Sequence, residues 1–157
     1  MAGRVEQIWI KRAKLGVMDP VQHATLIENK GIVGNANQRG RRQVTILESE
    51  RWQEHLSALD ASLDPSKRRA NILVSGIALK DMRNQVLQIG AVRLRIAGET
   101  KPCERMDEAL PGLQAVMRPA WGGGAFAIVL EDGDINVGDE VKFVEQTDHL
   151  PLLQRMS

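Results

Sequence analysis

The sequence is poor in cysteine and in aromatic side chains, and each shortage argues against a class of protein. With one cysteine, Cys103, the chain cannot form an internal disulfide, and its histidines, His23, His55 and His149, lie too far apart to form a metal-binding motif. With no Tyr, two Phe and three Trp, it lacks the aromatic platforms of single-stranded nucleic-acid sites. We therefore expect a cytoplasmic protein with no nucleic-acid partner.

Long apolar runs are also missing. None approaches the roughly 20 residues of a membrane helix, and the first ten residues, MAGRVEQIWI, lack the apolar core of a signal peptide. The 157 residues, 43% apolar and 26% charged, are typical of one globular domain. We therefore expect a soluble single domain over residues 1–157, with no membrane partner.

Charge is divided unevenly along the chain. Residues 1–75 contain 12 Lys and Arg and 8 Asp and Glu, whereas residues 76–157 contain 9 Lys and Arg and 12 Asp and Glu. The first half holds two compact basic clusters, Arg39/Arg41/Arg42 and Lys67/Arg68/Arg69. Arginine forks bind phosphate well, although any one of these side chains could simply be solvated. A small anionic ligand is the partner that this pattern favours.

Short segments of period-two alternation predict a strand-rich chain. In the clearest, Ala91–Ala97, Val92, Leu94 and Ile96 alternate with two arginines. Further strands are predicted at Val5–Ile10, His23–Glu28, Gln43–Leu47, Asn71–Ser75, Ala125–Leu130 and Val141–Val144. A closed or nearly closed barrel would hold this many short strands without leaving exposed edges, so we expect a barrel.

Two segments have helical spacing instead. Glu48–Asp60 predicts an amphipathic helix with His55 at its surface, and Glu104–Met117 predicts two short helices separated by Pro111-Gly112. The fold class is therefore mainly β, a barrel with two short helical insertions. The last dozen residues, QTDHLPLLQRMS, are interpreted as a loose tail or a docking segment.

Cys103 is the main chemical candidate. It follows Pro102 and precedes a predicted helix, between Lys101 and Arg105, and positive charge of this kind favours a thiolate that can act as a nucleophile or a metal ligand. The alternative is a small, buried, unreactive thiol. No dinucleotide-binding, Walker or serine-hydrolase motif is present in the sequence.

The blocks of the sequence, taken in order, resemble those of the MOSC domain, named for the C-terminal part of molybdenum-cofactor sulfurases. The resemblance covers about residues 29–143 and is carried by GIVGNANQRGRRQVTILESE, KRRANILVSGIALKD, LQIGAVRLRIAGETKPCERMD, GLQAVM and EDGDINVGDEV. It implies a MOSC-type β-barrel and molybdenum chemistry.

The resemblance also implies site residues. Cys103 matches the family's cysteine, a proposed sulfur acceptor or, in amidoxime-reducing relatives, the thiolate ligand of molybdenum. Arg69 and Asn71 match residues that hold the phosphate and pterin edge of the molybdenum cofactor (molybdopterin), and Arg42 and Thr45 are further cofactor-binding candidates. Pyridoxal phosphate would belong to a separate cysteine desulfurase, which, like a redox partner protein, is an expected partner.

One departure from the family pattern keeps an alternative open. Many members read Gly-Asp before a His-containing loop, whereas this chain reads Gly34-Asn35 followed by ANQRG. The first interpretation is a stand-alone module that binds molybdopterin and uses Cys103 for sulfur transfer or for the reduction of N-hydroxylated substrates. The alternative is a non-catalytic ligand-binding or protein-interaction barrel that has lost this chemistry.

Overall fold

The computed structural model describes residues 3–14 and 16–145. The strands are β1 (Gly3–Lys11), β2 (Met18–Val21), β3 (His23–Ile27), β4 (Gly31–Ile32), β5 (Val44–Glu48), β6 (Ile72–Ser75), β7 (Val86–Ile89), β8 (Val92–Glu99), β9 (Ala125–Val129), β10 (Gly133–Asn136) and β11 (Glu140–Val144). The helices are α1 (Ser49–Ala58), α2 (Arg105–Ala109) and α3 (Leu113–Met117), with short 3-10 helices at Pro65–Arg68 and Pro119–Trp121.

Seven strands form a closed barrel in the order β1, β11, β7, β8, β9, β5 and β6, and the pairing of β6 with β1 closes the ring. Neighbours are antiparallel except for β5 and β6, which are parallel. A parallel pair needs a long crossover, and α1 together with the first 3-10 helix supplies it. β2 extends β1, while β10, β3 and β4 form a separate three-stranded sheet. The predicted mainly β barrel is confirmed.

The strands that pass under the helices are buried on both faces. Ile8, Ile46 and Ile72 point into the barrel core, whereas their neighbours Trp9, Leu47 and Leu73 belong to a second core with the helices. Side chains alternate between the faces of a strand, so consecutive apolar residues serve two cores. The second core is completed by Trp52, Leu56, Ala70, Met106, Leu113 and Met117.

All seven predicted strands are present, with ends that differ by one or two residues. The short strands β2, β4, β7 and β10 were not predicted. Pro20 within β2 is typical of an edge strand, and β10, Gly133–Asn136, begins in what reads as a turn. Both helical insertions are confirmed, and the second consists of α2 and α3 on either side of Pro111-Gly112.

No helix within the described residues is both long and apolar enough to cross a membrane. The predicted tail or docking segment, residues 146–157, lies outside the described residues.

Candidate functional site

A cleft of about 180 Å³ lies beside the barrel, between loops that follow β1 and β8 and loops that precede β5, β6 and β9. All five residues proposed from the sequence line it, together with others that were not proposed. The lining consists of Lys11, Asn35, Asn37, Arg42, Thr45, Ile46, Arg68, Arg69, Ala70, Asn71, Thr100, Cys103, Arg105, Met106 and Gly123. It contains five cationic side chains and no carboxylate.

Cys103 is exposed in this cleft, although its backbone is fixed. Pro102 before it is buried, and the Cys103 carbonyl accepts a hydrogen bond of 2.9 Å from the Met106 amide. Met106 is itself buried in the second core. The thiol is therefore accessible and held on a rigid support, which differs from the alternative of a small core residue.

Asn71 is the structural centre of the cleft. Its Oδ1 accepts hydrogen bonds from the Thr45 amide and from Thr45 Oγ1, both at 3.1 Å. Its Nδ2 donates to the Trp9 carbonyl at 3.2 Å and to Asn35 Oδ1 at 3.1 Å. Because β5 and β6 are parallel, Thr45 and Asn71 lie side by side at their beginnings. The two side chains thus join the beginnings of two strands to the end of β1.

Asn35, the residue that departs from the family pattern, belongs to the same network. Its Oδ1 also accepts a hydrogen bond from the Lys11 amide at 2.9 Å, and its Nδ2 donates to the Asn37 carbonyl at 3.1 Å. A carboxylate cannot donate, so an aspartate here would lose the contact with Asn37. The amide therefore holds the loop that lines one side of the cleft.

The two arginines proposed from the sequence are more exposed. Arg69 has a left-handed backbone, φ 64°, at the end of the 3-10 helix, and its Nη2 lies 3.5 Å from the Lys14 carbonyl. Arg42 is exposed, with Cζ 5.2 Å from the centroid of the Phe126 ring. Both guanidinium groups are available to an anion, and their role in binding remains a prediction.

Arg68 was not proposed from the sequence, although it lies in the basic cluster Lys67–Arg69. It is 9% exposed, and it donates through Nε to the Gly123 carbonyl and through Nη2 to the Thr100 carbonyl, both at 3.1 Å. No carboxylate of the described chain forms an ion pair with it. Buried arginine is normally paired with an acid, so this positive charge lacks its usual partner.

Electrostatics link Arg68 to the thiol. Burial lowers the pKa of Arg68 to about 10, the Cys103 thiolate opposes this shift, and Arg42 adds to it. A guanidinium with this pKa remains charged at neutral pH. The Cys103 sulfur therefore lies in the field of a buried, permanent cation.

Lys11 and Arg105 complete the positive lining and were also missed. The pKa of Lys11 is lowered by burial and by the nearby charges of Arg69, Lys14 and Arg105. Lys11, Arg69 and Arg105 line the same cleft, so their charges face one space. An anion placed there would relieve the repulsion.

Thr100 provides a further sign that the cleft is built for a polar ligand. It is 8% exposed, and its hydroxyl has no hydrogen-bond partner within the described chain. Buried hydroxyl groups are normally satisfied, so such a group in a cleft wall suggests a ligand partner. Nothing in the sequence marks Thr100 among its polar neighbours.

Gly123 allows the cleft wall to close around Arg68. A Cβ atom at this position would collide with the Thr100 carbonyl and would lie 3.1 Å from Arg68 Nη2. The loop WGGG at 121–124 therefore needs glycine here because of close approach.

The prediction that His55 lies at the surface is wrong. His55 is 4% exposed, and its Nε2 donates to the Gly122 carbonyl at 2.8 Å. His55 precedes Leu56 on α1 and faces the loop WGGG at 121–124. The buried face of the helix therefore includes His55 as well as Trp52 and Leu56. His55 thus fixes Gly122, the neighbour of the Gly123 residue whose carbonyl accepts a hydrogen bond from Arg68.

We expect His55 to make stability depend on pH. Burial lowers its pKa, opposed by the Gly122 hydrogen bond and by Glu54, whereas Arg51 and Arg68 lower it further. The unfolded state takes up a proton near pH 6.5 and the folded state only at lower pH, so stability falls as the pH drops below about 6.5. Urea unfolding from pH 7.5 to 5 would measure this slope.

Two substitutions separate His55 from other groups. His55→Gln keeps a donor for Gly122 and should flatten the slope, whereas His23→Gln, at an exposed histidine, should leave it nearly unchanged. An unaltered slope in His55→Gln would contradict the assignment.

Within residues 3–14 and 16–145, no group of three or more His, Cys, Asp or Glu side chains could hold a metal ion. Of these four residue types, the described lining of the cleft contains only Cys103. A metal at this site would have to bring its remaining ligands with it.

Comparison with known proteins agrees with the barrel. The chain is similar to the YUAD protein from Bacillus subtilis, with 21% identity and a TM-score of 0.75 over 90% of this chain and 94% of that one. It is also similar to YiiM from Geobacillus stearothermophilus, with 15% identity and a TM-score of 0.73 over 99% and 86% of the two chains. YiiM from Escherichia coli is similar as well, with 13% identity and a TM-score of 0.68 over 91% of this chain and 70% of that one.

At these identities the solved structures support the fold alone, and no curated protein matches the sequence. The family comparison goes further, because the model of the MOSC domain matches residues 30–142, most of the chain. Together with the closed barrel, this match shows that the chain belongs to the MOSC domain family.

Proposed function

We propose that this MOSC protein binds the molybdenum cofactor in the cleft and uses Cys103 as a sulfur carrier or as a ligand of molybdenum. One observation carries the proposal: an exposed thiol opens into a cleft that contains five cations and no carboxylate. A phosphate-bearing ligand would neutralise these charges, and a soft thiolate suits both sulfur and molybdenum.

The residues present fit such a cofactor. Arg69, Arg42 and Lys11 offer charged donors for a phosphate, and the Thr100 hydroxyl is a further donor without a partner in the described chain. The amide of Asn71 is already engaged with Thr45, Asn35 and Trp9, so we assign it the task of shaping the cleft. When bound, the cofactor would supply a redox-active metal centre and its own sulfur ligands.

Sulfur transfer needs only a thiolate on this chain. In that reaction Cys103 attacks the outer sulfur of a persulfide on a separate cysteine desulfurase, whose pyridoxal phosphate remains on that partner. A new S–S bond forms on Cys103, the partner's S–S bond breaks, and the partner's thiolate leaves, so no external oxidant is required. Arg68 would favour the attacking thiolate through its field.

Retention of molybdopterin tests the proposal. Purified protein is incubated with molybdopterin and freed of unbound pterin by gel filtration, and the pterin is quantified by fluorescence after oxidation. We expect retention by the wild type, a loss of about tenfold or more in Arg69→Gln, and little change in Lys80→Gln, which removes an exposed cation outside the cleft.

Cys103→Ser separates the roles of the thiol and of the anion pocket. Weaker retention in Cys103→Ser than in the wild type would support a bond between the thiol and the cofactor. Equal and negligible retention in both proteins would defeat the cofactor proposal. If the cofactor binds, the first reaction to assay is reduction of an amidoxime or another N-hydroxylated base.

A second candidate is a non-catalytic barrel that binds an anion. It is favoured by the engagement of Asn71 and Asn35 with protein groups, since this leaves the family's Asn position without a free amide. This candidate predicts a Cys103 thiol that alkylates no faster than a free cysteine. Faster alkylation would count against it.

A further inference from the structure

A second concave surface adjoins the cleft and is also positively charged. This basic shelf has a volume of about 490 Å³ and shares Asn37 and Arg42 with the cleft, so the two surfaces are adjacent. Its lining contains no carboxylate and consists of Lys14, Ala36, Asn37, Gln38, Arg39, Arg41 and Arg42. The proposed cofactor site does not use Lys14, Arg39 or Arg41.

Two of the shelf arginines are held in place by one aromatic ring. Arg41 Cζ and Arg42 Cζ lie 5.6 and 5.2 Å from the centroid of Phe126, and Arg41 Nη2 donates to the Ala97 carbonyl at 3.0 Å. Stacking on an aromatic face orients a guanidinium while leaving donors for another partner. Two like charges held at one ring favour an anion between or beside them.

The loop that forms the shelf is itself anchored by hydrogen bonds. The Ala36 amide donates to the Lys11 carbonyl at 2.6 Å, Gln38 Nε2 to the Ile32 carbonyl at 2.9 Å, and the Arg39 amide to the Lys30 carbonyl at 2.7 Å. Arg39 has a left-handed backbone with φ 65°. The shelf is thus largely organised before a ligand arrives, which lowers the cost of binding.

Lys14 and Arg39 have no assigned internal task. Neither side chain forms a hydrogen bond or an ion pair with another residue of the described chain. Their charges therefore remain available to a ligand that reaches beyond the cleft.

We infer that the basic shelf binds a second phosphate of the same ligand whose first phosphate lies in the cleft. The ligand class is then a form of the cofactor whose phosphate is extended by a second phosphate through a pyrophosphate link, with Arg42 facing both phosphates. Molybdopterin itself, which carries one phosphate, would occupy the cleft and leave the shelf free. This inference rests on the proposed function, because it takes the cleft to hold the first phosphate.

Binding of inorganic phosphate and pyrophosphate to the purified chain, measured by calorimetry at fixed ionic strength, tests the shelf. We expect the double variant Lys14→Gln/Arg39→Gln to weaken pyrophosphate binding by about tenfold and to leave phosphate binding within about twofold. Arg69→Gln, in the cleft, should weaken both. Lys80→Gln/Arg118→Gln removes two exposed cations outside both surfaces and should change neither.

The outcomes distinguish the shelf from the cofactor. Two results would overturn the proposal that the shelf binds a second phosphate, even if the protein retains molybdopterin. One is an unchanged affinity for pyrophosphate in the Lys14/Arg39 variant, and the other is an equal loss of affinity for phosphate and pyrophosphate. A selective loss for pyrophosphate in a protein that retains no molybdopterin would support the shelf and overturn the proposed cofactor.

Discussion

Replacing Arg68 by glutamine is expected to slow the alkylation of Cys103 at neutral pH by about threefold, because solvent screens an exposed sulfur and such interactions are worth about 0.2–1 kcal/mol. Arg68 is a buried cation whose charge interacts with the Cys103 thiolate, and it forms no ion pair with a carboxylate of the described chain. Without this charge, the reactive thiolate loses part of its stabilisation relative to the thiol. The rate constant with iodoacetamide measures the effect.

Arg68→Lys is the matched control for charge. Lysine keeps the positive charge but cannot reproduce the donation to both the Gly123 and Thr100 carbonyls. Most of the rate should return in this variant, whereas a purely structural role for Arg68 would leave both variants equally impaired. Circular dichroism would verify that each variant is folded. An Arg68→Gln protein that alkylates as fast as the wild type would refute the electrostatic role.

Asn71→Ala is expected to lower the free energy of unfolding by about 2–4 kcal/mol. The substitution removes four side-chain hydrogen bonds, two with Thr45 and one each with Trp9 and Asn35, and leaves their partners in a largely buried setting. Because these bonds join β5, β6 and the end of β1, their loss should also loosen the cleft. Urea denaturation gives the change in stability.

Asn37→Ala provides the comparison for Asn71→Ala. Asn37 lines the same cleft but is exposed, and only its carbonyl accepts a hydrogen bond in the described chain. Its truncation should change stability by less than about 0.5 kcal/mol. Similar small losses for both variants would show that the Asn71 network is not a structural centre.

The sequence predicts the barrel strands well because a strand with one face in the core shows apolar and polar residues in alternation. Val92, Leu94 and Ile96 of β8 alternate with arginines, and each of the three is buried in the barrel core. The strands that were missed are short, with two to four residues each, so any alternation in them is brief. Pro20 interrupts β2, and β10 is identified only by its long-range pairing with β3.

The candidate site was only partly predictable. Cys103 is conspicuous because it is unique and has charged neighbours, and the family blocks mark Arg69 and Asn71. Arg68 is adjacent to Arg69, and only the 3-10 helix reveals which of the two arginines is buried. Thr100 and Lys11 enter the cleft through strand pairing, and His55 is buried by a loop nearly seventy positions away. Such contacts depend on tertiary structure.

The most direct test compares the reaction of Cys103 with anionic iodoacetate and with neutral iodoacetamide, using N-acetylcysteine as the reference thiol. A cation-lined cleft concentrates the anionic reagent near the sulfur, and this advantage is screened by salt. We predict an iodoacetate to iodoacetamide rate ratio several-fold above that of the free thiol, reduced by added salt or phosphate. A ratio equal to or below that of the free thiol would contradict an anion-binding cleft around Cys103.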